Sequence, residues 1–441
     1  MQTISIFWHR RDLRLEDNAG LYHALKGENP VLSLFIFDST ILSRLEDKTD
    51  ARVSFIHQEV LRLAEELEAM GSSLLVRYGK PEEVWAKLLE EYNIQAVYTN
   101  KDYESYAKAR DNSIQQLLTE KGIPFHAYKD HVIFEELEIT KKDGLPYTVF
   151  TPYSRKWKEK LQSKKMGSDL FYLKSYPNQR YQQNYLQQPQ SSIPSLSEMG
   201  FEASSITIPS KTVAQGIIKN YDKNRDYPAL DATSRLGIHF RFGTISIREK
   251  ARKALALNET FLNELIWRDF YAQILANFPK VENYAFRPAY DLIEWRNDET
   301  EFKAWCEGQT GYPIVDAGMR ELNASGHMHN RVRMVVASFL TKHLLIDWRW
   351  GEAYFAQKLL DFDLASNNGG WQWAAGSGTD AAPYFRIFNP TSQQEKFDKE
   401  FKYIKKWVKE YGTDAYPKPI VDHKMARERC LEVYKAGLAD K

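Results

Sequence analysis

The chain has 441 residues and a formal net charge of +1, because 60 Lys and Arg are balanced by 59 Asp and Glu. A chain of this length is too long for one ordinary hydrophobic core, so two or three domains are expected. The balanced charge excludes a global basic bias toward nucleic acid but permits a local basic patch. Two distant cysteines exclude a disulfide framework, and neither a secretion signal nor a membrane-spanning apolar run is seen, which predicts a cytoplasmic protein without membrane contact.

Strand and helix patterns alternate over residues 1–130 and predict an α/β domain built on a doubly wound parallel sheet. Buried strands are predicted at residues 4–8, 31–37, 74–76 and 96–98. Helices are predicted at residues 53–70, 82–92 and 105–121. No Gly-x-Gly-x-x-Gly follows the first strand, so the sequence gives little support for a dinucleotide fingerprint.

Residues 131–204 are predicted to form a long interdomain connector, because Pro, Ser, Gln and Asn concentrate between positions 176 and 194. Residues 205–441 have a helical pattern and are predicted to form an all-α domain. Apolar periodicity there predicts helices at residues 261–277, 332–345 and 397–411.

The segment 359–390 combines acids, amides, glycines and large aromatics within one short stretch. It has no Cys or His, and it has no Gly-x-Ser-x-Gly motif, so neither a soft metal site nor an activated nucleophile is expected. One interpretation is a site for a flat, hydrogen-bonding ligand. The alternative is a tight turn between helices with Trp371 and Trp373 in the core.

Three clusters outside this segment also contain candidate binding groups. Glu264, Trp267 and Arg268 lie three to four residues apart on a predicted helix, so they could line a pocket or form a surface ion pair beside a half-buried indole. Residues 328–334 contain amide and guanidinium donors suited to a phosphate or carboxylate. Residues 233–237, hydroxyls followed by a glycine, suit an anion cradle or an ordinary helix cap.

Taken together and in chain order, these strings resemble the DNA photolyase/cryptochrome family, most closely its class I cyclobutane pyrimidine dimer photolyases. The resemblance is carried by residues 10–18, 233–236, 263–270, 311–316, 328–334 and 361–390. It covers nearly the whole chain. It implies an N-terminal α/β antenna-binding domain and an all-α C-terminal domain that binds FAD in a folded conformation.

The resemblance also implies the positions that bind FAD. They are Tyr221, Thr233, Ser234, Arg235, Leu236, Gly237, Phe261, Arg268, Arg333, Asp361, Asp363 and Asn367. Gly237 departs from a serine common at this place, and Phe261 departs from a frequent tryptophan. Asp363 is implied to accept a flavin ring N–H. Asn367 is implied to face flavin N5 and to favour the fully reduced, repair-active cofactor.

The substrate implied is UV-damaged DNA that contains pyrimidine dimers, bound by a monomer. Contacts to the dimer or to DNA are implied for Arg225, Glu264, Trp267, Asn330, Arg331, Met334, Trp373 and Gln393. Arg386 and Lys396 extend this basic surface, as we infer from their charge. Trp295, Trp348 and Trp371 match the family's electron relay, which rereduces oxidised flavin in light, whereas each alone would suggest core packing.

The implied activity is light-driven repair of the dimer by electron transfer from reduced FAD to a flipped-out lesion. One alternative is a blue-light photoreceptor with FAD and a signalling output. Another is a light-independent nucleotide- or DNA-binding protein. The second chromophore stays open between a deazaflavin, a flavin and none, because Tyr106 and Ala107 replace the Asn-Glu pair of folate-binding relatives.

Overall fold

A computed structural model describes residues 2–163 and 170–439. The chain divides into two compact units, each assembled from separate stretches. The first takes its described residues from Met1–Glu138, Trp157–Lys211 and Leu236–Ala256, and the second from Ile139–Lys156, Thr212–Arg235 and Leu257–Lys441. The domain boundaries after residues 130 and 204 stay a prediction.

Five parallel strands form the sheet of the first unit. They are β1 (Thr3–His9), β2 (Val31–Asp38), β3 (Leu74–Gly79), β4 (Asn93–Asn100) and β5 (Phe125–Tyr128). Their order is β3-β2-β1-β4-β5, so β1 pairs on both sides, with Ser5 opposite Val31 and Ala96. The predicted doubly wound parallel sheet is confirmed. The edge strand β5 was not predicted, because none of its four residues is buried: three are half-buried and Ala127 is exposed.

The helices follow in chain order. They are α1 (Ala19–Leu25), α2 (Ser39–Leu42), α3 (Ala51–Glu68), α4 (Pro81–Glu91), α5 (Ser105–Thr119), α6 (Phe150–Gln162), α7 (Gln215–Lys219), α8 (Tyr221–Asn224), α9 (Gly237–Arg241), α10 (Ile247–Leu257), α11 (Glu259–Asn277), α12 (Glu299–Glu307), α13 (Pro313–Ser325), α14 (Asn330–Ser338), α15 (Trp348–Lys358), α16 (Leu364–Ala375), α17 (Pro390–Phe397), α18 (Lys402–Trp407) and α19 (His423–Ala439). The three helices predicted before residue 130 are confirmed as α3, α4 and α5.

The helical domain departs from the predicted elements at two places. The helix predicted at 397–411 is wrong, because Phe401 adopts a left-handed φ of 54° and Asp398 accepts hydrogen bonds from the amides that open α18. The helix predicted at 332–345 is α-helical to Ser338 and continues as a π-helical turn, Phe339–His343.

The segment predicted as a connector, residues 131–204, contains the helix α6. No helix within residues 2–163 and 170–439 is long and apolar enough to cross a membrane.

A buried ion network ties the end of the sheet region of the first unit to α10. Asp130 accepts from Arg14 at 2.6 Å and from Arg248 at 2.8 Å, and Arg248 also donates to Asp17 at 2.9 Å. Burial alone would raise the pKa of Asp130, but the two guanidinium groups outweigh it and hold that pKa well below its usual range. Asp130 is therefore ionised and paired in the folded protein.

Replacing Asp130 with asparagine should lower the free energy of unfolding by about 3 kcal/mol at pH 7, because two buried guanidinium groups lose their counter-charge. A carboxyl whose pKa is depressed on folding stabilises above its unfolded pKa of about 4 and loses this contribution as the pH falls. The free energy of unfolding, measured in urea, should therefore fall more steeply between pH 5 and pH 3 for wild type than for the variant. Asp414→Asn, at an exposed carboxylate, is the control. Equal stability of Asp130→Asn and wild type would contradict the assigned role.

Candidate active site

One cavity of about 460 Å³ lies within the helical unit, in the volume range of cofactor sites. It is lined by Arg225, Glu264, Trp267, Arg268, Tyr271, Asn330, Arg333, Met334, Ala337, Phe355, Leu359, Asp361, Phe362, Asp363, Ser366, Asn367, Gly370, Trp371 and Trp373. Twelve of these side chains were predicted as site residues. Charged, amide and aromatic groups thus converge on one space.

Helix α11 supplies one wall of the cavity. Its start is fixed by Asn258, whose side chain accepts from the amide of Phe261. Glu264, Trp267 and Tyr271 then follow at spacings of three and four residues and line the cavity on one helical face. The pocket interpretation of this cluster is therefore favoured over a surface ion pair.

Helix α14 supplies a second wall by the same spacing. Asn330, Met334 and Ala337 line the cavity, together with Arg333. His329 caps this helix by accepting from the amide of Arg331 at 3.2 Å. Burial lowers the pKa of His329 to about 4, so its imidazole is neutral near pH 7 and can accept this hydrogen bond.

Helix α16 supplies the third wall and comes from the segment 359–390. Asp363 caps it by accepting from the amide and the hydroxyl of Ser366. One turn later Asn367 enters the cavity, followed by Trp371 and Trp373. The cap fixes where the helix begins and therefore which side chains face the cavity.

Two ion pairs fix charged groups at the cavity. Arg333 donates to both carboxylate oxygens of Asp361, at 3.0 and 3.1 Å, and its Nε donates to the carbonyl of Met328 at 2.7 Å. Arg225 donates to Glu264. Burial raises the pKa of Glu264 although Arg225 opposes the shift, so this carboxyl keeps its proton to a higher pH than an exposed glutamate does.

Glu352 is a functional candidate that sequence reasoning missed. The amide Nδ2 of Asn367 donates to the Glu352 carboxylate at 2.8 Å and to the Glu352 carbonyl at 3.1 Å. These two bonds use both amide hydrogens, so the Asn367 carbonyl oxygen is left to accept from a ligand N–H. Glu352 lies on α15, whereas Asn367 lies on α16, so no helix or strand spacing in the sequence predicts this contact.

Other predicted residues lie outside the cavity lining found in the described part of the chain. They are Tyr221, Thr233, Ser234, Arg235, Leu236, Gly237, Phe261, Trp295, Trp348, Arg331 and Gln393. Tyr221 packs edge-on against Phe261, with ring centroids 5.2 Å apart, and lies 5.3 Å from the guanidinium of Arg225, so Tyr221 contacts a residue that lines the cavity. Arg331 pairs with Asp226 at 2.8 Å. Their roles stay predictions.

The three predicted relay tryptophans share one apolar cluster. Trp348 and Trp371 are buried members of it, and Trp295 packs against it half-buried. Trp371 also meets the rings of Phe355 and Trp305, with centroids 5.0 and 6.0 Å away. Core packing and a relay role are compatible here.

Gly351 on α15 lies directly against the Trp371 indole. An added Cβ would lie 2.1 Å from the ring and 2.6 Å from Leu340. Gly351→Ala should therefore displace the indole and lower the free energy of unfolding by about 1–3 kcal/mol, measured by urea denaturation. Gly216→Ala, a helical position with open space around it, should leave stability unchanged or raise it slightly. Equal stabilities of the two variants would contradict the contact.

The cavity fits a flavin ring by its chemistry. Its walls include aromatic and aliphatic faces, while the Asn367 oxygen, Asp363 and the Arg333–Asp361 pair supply acceptors and donors at its edge. A flat ring with several N–H and carbonyl groups requires this combination. The residues that would hold the flavin ring of FAD are therefore present at the cavity.

The predicted antenna positions lie in the first unit. Tyr106 donates to Asp38 at 2.6 Å, and burial together with Asp38 raises the pKa of Tyr106 to about 12. The guanidinium groups of Arg44 and Arg110 lie 5.7 and 5.8 Å from its ring, and Ala107 is buried. A phenol and a methyl group thus stand at the two positions where the resemblance would require an amide and a carboxylate for folate.

Comparison with known proteins agrees with this geometry. The family described as "DNA photolyase" matches residues 5–170, and the "FAD binding domain of DNA photolyase" matches residues 261–413. The deoxyribodipyrimidine photo-lyase of Halobacterium salinarum is 37% identical over 99% of this chain and 100% of its own.

Solved structures agree over the same length. A class III photolyase from Agrobacterium tumefaciens superposes with a TM-score of 0.84 at 33% identity, over 99% of this chain and 98% of that one. An archaeal photolyase from Sulfolobus tokodaii, solved with two FAD molecules, superposes with a TM-score of 0.81 at 37% identity. The match covers 99% of this chain and 100% of that one. The chain therefore belongs to the DNA photolyase/cryptochrome family.

Proposed function

We propose that this protein repairs cyclobutane pyrimidine dimers in UV-damaged DNA with light, using reduced FAD as the electron donor. The observation that carries the proposal is that one cavity brings together two sets of side chains. Asp363 and Asn367 can hydrogen-bond a flavin, and Glu264, Trp267 and Trp373 can contact a pyrimidine dimer. Full-length similarity to deoxyribodipyrimidine photo-lyases supports it. The assignment to class I within the family stays a prediction.

The cofactor side of the cavity positions the flavin. Bound reduced FAD would supply the single electron that opens the cyclobutane ring and would take it back afterwards. Arg333 and Asp361 fix each other in place, while the Asp363 carboxylate and the free carbonyl oxygen of Asn367 would hold the flavin ring by accepting from its N–H groups. This chain thus supplies position and electrostatic field, and it needs no nucleophile or metal for the step.

The substrate side holds the flipped-out dimer. Damaged bases pair and stack poorly, so extruding them costs less free energy than extruding normal bases. Trp267 and Trp373 offer flat apolar surfaces to the dimer, and Asn330 and Met334 add contacts from α14. Glu264 lines this side and is proposed to hydrogen-bond a dimer carbonyl, which stabilises the negative charge that develops there; the raised pKa of Glu264 favours the protonated carboxyl that can donate this bond.

Phosphate contacts attach the protein to the DNA around the lesion. Arg225, Arg331 and Gln393 are the proposed contacts, with Arg386 and Lys396 extending the basic surface. The affinity for DNA should therefore fall as the salt concentration rises. We further propose that the protein acts as a monomer in the cytoplasm, where Cys306 and Cys430 stay free thiols.

A deazaflavin or a flavin is the proposed antenna, if the first unit binds one. The Tyr106 phenol and the Ala107 methyl group do not reproduce a folate-binding amide and carboxylate. The Sulfolobus tokodaii photolyase, solved with two FAD molecules, is a precedent for a flavin. Chromatography of the chromophores released by denaturation tests this assignment.

The test of the proposed function is repair of a thymine-dimer oligonucleotide under blue light by the reduced, FAD-loaded protein. We expect restored thymines in light and none in the dark. A protein that binds no flavin would contradict the family role itself. A flavin-loaded protein that never repairs would favour the blue-light receptor instead.

A further inference from the structure

The indole of Trp267 is backed by an aromatic ring that the repair proposal does not use. Phe150 lies parallel to it, with 3.6 Å between ring centroids and 3° between ring planes. This separation is van der Waals contact over a whole ring. Trp267 lines the cavity, whereas Phe150, at the start of α6, is not part of the lining found among the described residues.

The backbone around Phe150 is anchored on both sides. Its amide donates to the Asp380 carboxylate at 3.1 Å, and the carbonyl of Tyr147 accepts from Gln273 at 2.8 Å. Gln273 lies on α11, the helix that carries Trp267. The Phe150 ring is therefore positioned relative to the same helix as the indole that it covers.

Asp380 also lies close in sequence to Trp373, the second indole that lines the cavity. It follows α16, whose last turns carry Trp371 and Trp373, and it adopts a left-handed φ of 49°. Aspartate and asparagine tolerate this conformation better than most residues. The hydrogen bond from Phe150 to Asp380 thus links the backing of Trp267 to the segment that follows Trp373.

Covering one face of the Trp267 indole has a consequence for any ligand. A base cannot enter the space between two rings 3.6 Å apart, so a ligand reaches the other face or the edge. Phe270 packs edge-on against both rings, at 5.5 and 5.8 Å, which further restricts rotation of the indole. The indole plane is therefore set before a ligand arrives.

We infer that Phe150 is a positioning residue for the pyrimidine dimer, held in place by Asp380, and that it acts by fixing the plane of Trp267. This inference deepens the proposed repair function and rests on it. A rigid flat wall lowers the entropy lost when the dimer binds, since the side chain is ordered beforehand.

The test is dimer affinity in a Phe150→Leu variant, which keeps an apolar side chain and removes the flat ring. We expect the Kd for a thymine-dimer oligonucleotide to rise between about twofold and tenfold. The Kd for the undamaged oligonucleotide and the repair per bound dimer should stay unchanged. Phe150→Tyr should restore the affinity, and Phe286→Leu, at a half-buried ring that packs on Phe278, is the matched control.

A second pair of variants tests the anchor. Asp380→Asn keeps an acceptor for the Phe150 amide and suits the left-handed backbone, so it should bind the dimer nearly as wild type does. Asp380→Ala lacks the acceptor and should lose affinity for the dimer about as Phe150→Leu does. Equal affinities of the two Asp380 variants would overturn the anchoring role.

Wild-type dimer affinity in Phe150→Leu, or an equal loss for damaged and undamaged DNA, would overturn the inference. A crystal structure of Phe150→Leu decides it independently of repair, because the Trp267 indole should rotate or occupy two conformations. An unmoved indole would overturn the inference even if repair is confirmed. Wild-type protein that neither prefers nor repairs the dimer would instead refute the proposed function.

Discussion

Glu264→Ala should lower light-driven repair of a thymine dimer at least tenfold. The carboxyl lines the cavity beside Trp267, and burial raises its pKa, so it can donate a hydrogen bond to the dimer as negative charge develops. A hydrogen bond to a charged group contributes about 1.5–3 kcal/mol, which corresponds to roughly ten- to hundredfold. The measurement is dimers repaired per absorbed photon at saturating oligonucleotide, with bound flavin quantified by its absorbance.

Glu264→Gln is the matched control, because its amide keeps an N–H donor at every pH. It should retain most of the repair that the alanine variant loses. Wild-type repair should fall as the pH rises through the raised pKa of Glu264, since the carboxylate has no proton to donate. The glutamine variant should lack this fall. Repair by Glu264→Ala at the wild-type yield would exclude the donor role.

Trp371→Phe should stop the light-driven reduction of oxidised FAD but leave repair by chemically reduced enzyme largely intact. Trp371 lines the cavity on one side and belongs to the apolar cluster that contains Trp348 on the other. Phenylalanine fills most of the space but is much harder to oxidise than an indole. The measurement is the loss of oxidised-flavin absorbance under blue light with an external reductant, beside repair after reduction with dithionite.

Trp305→Phe distinguishes a relay from a general effect of losing a buried indole. Trp305 is fully buried and meets Trp371 with centroids 6.0 Å apart, but the proposed relay runs through Trp348 and Trp295. Photoreduction should therefore survive in this variant. Photoreduction that persists in Trp371→Phe, or fails equally in both variants, would contradict the assigned path.

The sheet and the long helices were predictable because each buries one regular face. The strand patterns gave β1 to β4, and the spacing of Glu264, Trp267 and Arg268 indicated the helical face that lines the cavity. The break between α17 and α18 was not predictable from periodicity, because apolar residues continue on both sides of it. The break has a local cause: Phe401 takes a left-handed φ of 54°, and the Asp398 carboxylate accepts from the amides of Tyr403 and Ile404, so that α18 begins separately at Lys402.

The parts of the site that sequence reasoning missed are held by contacts between distant segments. Glu352 orients Asn367 from another helix, and Phe150 stacks on Trp267 from far earlier in the chain. Neither pair has a spacing that a helix or strand period would reveal. Tyr271 is different: its spacing of seven residues from Glu264 places it on the same helical face, so the pattern already contained it.

The ion network around Asp130 has a consequence for biosynthesis. Its partner Arg248 follows it by 118 residues, and the stretch Leu236–Ala256 completes the same unit as the sheet. When β5 and Asp130 have just emerged from the ribosome, Arg248 has not yet been translated. The Asp130 carboxylate, which is buried in the folded protein, then has only one of its two guanidinium partners. The N-terminal unit should reach full stability only after the ribosome has translated α10, and a fragment that ends at residue 211 should not be an independently stable protein.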